Sequence, residues 1–137
     1  MRSTKQIPQA HEVYDILPYR DATAESTFFC MVIADGGAYP YLRMGDELIN
    51  TGEREFVELL TKARPGCIRY SDIPYLDREE VFTLRVEPYK FVDQVLLDRR
   101  TGQLYREIMW CWGHAACGDT ILIPVSDDEV RKLRKMH

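Results

Sequence analysis

At 137 residues, 45% of them hydrophobic and 29% charged, with a formal net charge of −4, the chain has the makeup of one soluble globular domain over 1–137, and it is long enough to fold without a staple. No apolar run approaches the ~18 residues of a membrane span, and no apolar stretch follows the basic residues of MRSTKQIPQAHEVYD, so no secretory signal or membrane contact is expected and a cytoplasmic location is. The acidic balance argues against direct nucleic-acid binding, which needs a concentrated positive field.

In chain order, QAHEVYDIL reads as a short helix ending before Pro18. STFFCMVIAD runs into Gly36-Gly37 and on to AYPYLRM, the pattern of a hairpin, although the solid apolar run over 27–34 also fits a buried helix. In INTGEREFVELLTKARPG, Asn50 or Thr51 can cap a helix, with Glu53 placed to complete a capping box. Phe56, Val57, Leu60 and Ala63 then recur at helical spacing, and Pro65-Gly66 ends the element.

Strand patterns follow: GCIRYSDI, EEVFTLRVEP, KFVDQVLLD, QLYREIMWCW and DTILIPV. RRTG between the third and fourth reads as a tight hairpin loop with Gly102 at a positive φ. The chain closes on PVSDDEVRKLRKM, in which Ser126 and Glu129 have capping-box spacing. Its basic run RKLRK is the helix's solvated last turn, where positive charge suits the dipole. The expected fold class is therefore α+β: an antiparallel meander of about five strands plus an N-terminal hairpin, packed on one central amphipathic helix, with a short C-terminal helix.

Four of the seven prolines precede a tyrosine, at Pro18-Tyr19, Pro40-Tyr41, Pro74-Tyr75 and Pro88-Tyr89. Each proline can end an element while the tyrosine packs over the junction. A second reading makes Tyr19, Tyr39, Tyr41, Tyr75 and Tyr89 a tyrosine-rich binding surface. Asp72, Asp77, Glu79 and Glu80 form an acidic patch that a basic partner can use. Either these four, or Glu47, Glu53, Glu55 and Glu58, would form an exposed strip of carboxylates if the chain mimicked nucleic acid.

The chemically densest stretch is MWCWGHAACGD, 109–119. Cys111, His114 and Cys117 have the C-x2-H-x2-C spacing of a zinc knuckle, but one knuckle lacks the partner that makes the pattern strong. Cys111 or Cys117 with His114 and Asp119 supplies the residue types of a thiol nucleophile, its base and an orienting carboxylate. The plain reading is a core strand leading into a loop. Trp110 and Trp112 share one face and Met109 and Cys111 the other, as in a strand buried on both sides, and the remaining small residues serve the turn. The four cysteines, with Cys30 and Cys67, are then reduced thiols.

These patterns support a non-catalytic protein-binding module: an adaptor, inhibitor or accessory subunit acting through a surface, with an unidentified protein or a second copy of the chain as partner and no cofactor. The alternative is a small enzyme or ligand pocket using His114 with Cys111 or Cys117, zinc-dependent in one version. That alternative requires a cavity of at least ~300 Å³ reaching His114.

Overall fold

The computed structural model describes residues 3–5, 12–19, 27–34, 36–69, 76–111 and 118–136. Among these, the strands are β1 (Ser3–Lys5), β2 (Glu12–Pro18), β3 (Thr27–Ala34), β4 (Gly37–Met44), β5 (Glu47–Asn50), β6 (Ile68–Arg69), β7 (Arg78–Glu87), β8 (Phe91–Asp98), β9 (Leu104–Cys111) and β10 (Gly118–Val125). The helices are α1 (Gly52–Ala63) and α2 (Asp127–Met136). The chain is α+β, and its sheet divides in two: one in the order β1-β5-β4-β3-β2, the other β6-β10-β9-β8-β7, antiparallel throughout. The order of elements repeats. Four meandering strands lead to α1, and four more lead to α2.

The segment 27–34 is a strand and forms the expected hairpin with β4. β2 corrects the expected helix over QAHEVYDIL. Its residues pair with β3, and a register shift between Asp15 and Leu17 brings Ile16 and Leu17 both into the core. That irregular spacing of apolar residues imitates a helical one.

α1 buries Phe56, Val57 and Leu60 as its periodicity predicts. Of the two expected caps it is Asn50 whose side chain bonds the first turn: its Oδ1 accepts from the Gly52 N–H at 3.0 Å, while Thr51 makes no side-chain cap bond. Glu53 does not complete a box, because its carboxylate is turned to Trp110. α2 does form its capping box. Glu129 N–H donates to Ser126 Oγ and Ser126 N–H to Glu129 Oε1, both at 3.1 Å. The β8–β9 turn closes as RRTG predicts, with Gly102 at φ 77° and Asp98 accepting from the Arg100 N–H and the Thr101 hydroxyl.

The inner faces of the two sheets and α1 share one core. A relay of edge-on rings crosses it: Tyr19–Phe29 at 5.3 Å, Phe29–Phe56 at 5.5 Å and Phe56–Trp110 at 5.9 Å. Phe29 belongs to the first sheet, Phe56 to α1 and Trp110 to the second sheet, so the rings join all three.

β2 crosses the second sheet strand by strand. Glu12 pairs with Arg85 of β7, Tyr14 hydrogen-bonds Asp93 of β8, and the Ile16 carbonyl accepts from Arg106 of β9. Such a crossing is how two twisted sheets share a core at a wide angle.

Candidate binding surface

Beneath β2 lies a buried ionic network. Arg106 grips Asp93 through two N–H groups, Nε to Oδ1 at 2.8 Å and Nη2 to Oδ2 at 2.6 Å, and donates to the Ile16 carbonyl at 2.5 Å. The Tyr14 hydroxyl donates to the same carboxylate at 2.6 Å. Asp93 is wholly buried and Arg106 nearly so. Burial, followed by the Asp93 charge, raises the Tyr14 phenol far above its ordinary range, so it stays a neutral donor. The buried polar atoms of the network all have hydrogen-bond partners. It is a structural clasp between the sheets.

The stretch 109–119 is described at its two ends. Trp110 is wholly buried on the inner face of β9, and its indole N–H donates to Glu53 Oε2 at 3.0 Å. Asp119 is the register partner of Trp110 on β10. Met109 is 36% exposed, which corrects the reading of a strand buried on both faces. Cys111 is half-buried, and its N–H donates to the Lys90 carbonyl at 2.9 Å. Trp112, His114 and Cys117 lie outside the described residues, and with them the knuckle triple, the thiol–imidazole pair and the cavity at His114. Among the described residues no three His, Cys, Asp or Glu side chains gather as metal ligands. Burial pushes the Cys30 thiol up to about 12 and that of Cys67 up to about 11, so neither is an activated nucleophile.

Glu53 is a residue whose role the sequence does not reveal. Burial and then the neighbouring Asp119 carboxyl hold its pKa above the usual value, against the pull of the Trp110 N–H and the Arg69 charge. The folded chain therefore keeps a proton that the unfolded chain releases. Stability from this group is fully present below the ordinary glutamate pKa and is lost as pH rises through the folded one. Glu53→Gln retains an acceptor for Trp110 and removes the charge. Its stability relative to the parent is expected to rise between about pH 4 and pH 7 in urea titrations. A difference that stays constant across that range would rule out the coupling.

The described tyrosines of the expected surface lie in three places. Tyr19 lines a cavity of about 260 Å³ with Leu59, Lys62 and Ala63. Tyr41, with Cys30, Val32 and Leu48, packs on the outer face of the first sheet, and Tyr39 lies two residues along the same face of β4. Tyr89 stands alone at the β7–β8 turn, and Tyr75 lies outside the described residues.

Some carboxylates of each group are engaged by other residues. Glu53 faces inward, and Glu58 pairs with Arg54 at 4.0 Å. Asp77 and Glu79 both flank Arg99, at 3.3 and 3.5 Å, leaving Glu80 exposed on β7. Asp72 lies outside the described residues.

What the fold does place together is an apolar row on the outer face of the second sheet. Cross-strand register sets Val86 beside Val92, Val92 beside Met109, and Met109 beside Thr120. Directly opposed residues share a face. One end of this face is covered: Leu96 and Leu122 are buried against Ile68, Leu76 and Tyr105. Next along the strands comes a polar band, in which Glu107 accepts from Arg78 at 2.7 Å and from Gln94 at 2.5 Å. Beyond it the row opens, with Val86 55% exposed. Tyr89, at the turn that joins β7 to β8, is 78% exposed and holds φ at 65°. That is an uncommon, strained conformation for a residue with a side chain, and strain of this kind clusters at recognition sites.

No helix of the described residues is long and apolar enough to cross a membrane. The cavities at Tyr19 and at Arg106 are about 260 and 170 Å³, and no described residue of 109–119 lines either of them. No protein-family model, curated protein or solved structure matches the chain, so the reading of this surface rests on its own geometry.

Proposed function

We propose that the chain is a non-catalytic protein-binding module, an adaptor, inhibitor or accessory subunit, whose docking surface is the open end of the second sheet's outer face. The observation that carries this reading is the contiguity of Val86, Val92 and Met109, with Tyr89 held out beside them. Single exposed apolar residues are ordinary, but a row of them flanked by polar groups marks an interaction surface. Tyr and Met are also residue types enriched at such contacts.

The chemistry favours an apolar partner surface over a basic one, since Arg99 pairs with both Asp77 and Glu79 and offsets part of their charge, and Glu53 is turned inward. The partner approaches the face rather than the edge. β7 is the sheet's long outer strand, but two register shifts interrupt it and Arg78, Glu79 and Glu80 line its start. Bulges and charges of this kind protect an edge from strand addition.

The double variant Val86→Lys/Met109→Lys tests the surface. Both side chains lie at the solvent boundary, so folding stability is expected to change by no more than about 1 kcal/mol. Co-purification of the natural partner, or self-association in sedimentation if the partner is a second copy, is expected to be lost. A folded double variant that keeps every association of the parent would overturn the assignment.

A further inference from the structure

A second feature lies away from this surface, where the two halves of the chain meet. A cavity of about 170 Å³ opens between the end of β2, the end of α1 and α2. Its apolar lining is Ile16, Leu17 and Pro18 at the end of β2 with Val125 and Leu133. Among the described residues its charged lining is Arg64, Arg106 and Lys132 with the carboxylate Glu129.

Two of the cations are already matched. Glu129 accepts from Arg64 Nη2 at 3.0 Å and from the Ser126 N–H, and Asp93 holds Arg106. Lys132 is exposed at the mouth and forms no ion pair among the described residues. The cavity therefore offers one unmatched positive charge at the rim of a small apolar space. A bare inorganic anion would gain nothing from the apolar walls, and a long acyl chain would not fit. The volume is close to that of the ~150 Å³ apolar cavity able to hold benzene.

We propose that this cavity binds a small aliphatic carboxylic acid of about four to six carbons, with its carboxylate at Lys132 and its hydrocarbon among Ile16, Leu17, Val125 and Leu133. The bound acid spans β2 of the first half and α2 of the second, so it stabilises the folded chain by mass action.

Calorimetric titration and thermal melting of the full chain test this with three probes: isovalerate, the neutral isovaleramide and inorganic phosphate. Isovalerate is expected to bind saturably and raise Tm, with the amide and phosphate at least about tenfold weaker. Lys132→Gln is expected to weaken isovalerate by about tenfold and leave the amide unchanged. Leu133→Trp, which fills the space, is expected to abolish binding while the cooperative melt persists. Three results each overturn the proposal: no saturable binding, acid and amide binding equally, or phosphate binding as well as the acid. Arg106 is left intact in these variants because it holds the sheets together.

Discussion

Arg106→Met is expected to cost about 3–5 kcal/mol, the loss that follows from breaking a buried ion pair. The substitution leaves the Asp93 carboxylate buried with only the Tyr14 hydroxyl as a donor, and it orphans the Ile16 carbonyl. Removing one member of a buried pair is far worse than removing both. The double variant Asp93→Leu/Arg106→Met is therefore expected to recover a substantial part of the loss in urea titrations at neutral pH. Arg106→Lys should rescue less than charge alone suggests, because an ammonium cannot reproduce the two parallel N–H bonds to Asp93. If the double variant is no more stable than the single, the clasp is not where the cost resides.

Phe56→Ala is the second large effect, at about 3–5 kcal/mol. Its ring is wholly buried and meets Phe29 on one side and Trp110 on the other. Truncation removes the transfer free energy of the ring, leaves a cavity between the sheets and breaks two edge-on contacts worth roughly 0.5–1.5 kcal/mol each beyond their area. Against a total stability of roughly 5–15 kcal/mol, either loss brings the chain close to its folding limit. Phe82→Ala is the control. That ring is half-buried under Arg134 of α2, 4.7 Å from the guanidinium carbon, and its removal should cost distinctly less than that of Phe56. Equal losses at the two positions would mean that the relay of rings adds nothing to the core.

The features legible in the sequence are those decided by neighbours along the chain. The α2 capping box joins residues three apart, and the RRTG turn needs only Gly102 at a positive φ. α1 carries its own periodicity. β2 has a helix-like pattern in the sequence because its bulge places Tyr14, Ile16 and Leu17 inward together, and only pairing with β3 makes it a strand.

The clasp is marked in the sequence by the phase of its two charges. Asp93 lies in phase with Phe91 and Val95, and Arg106 in phase with Ile108 and Trp110, so both charges occupy the buried phase of their strands. Opposite charges at buried phase on two strands of one hairpin predict a pair. Glu53 had no comparable signal. It caps plausibly in sequence, and only folding brings it to a tryptophan 57 positions away. The exposed row was hidden for the same reason. β9 places Met109 and Tyr105 on one face, and which of the two is covered depends on where Leu76 packs.

The most direct test of the binding surface is site-specific photocrosslinking. A benzophenone side chain is introduced at Val86 and, as a control, at the exposed Arg54 on α1, in cells that make the protein. The docking reading predicts one discrete adduct at position 86, lost when Met109→Lys is added, and none at position 54. No adduct at 86, or the same adducts at both positions, would contradict it.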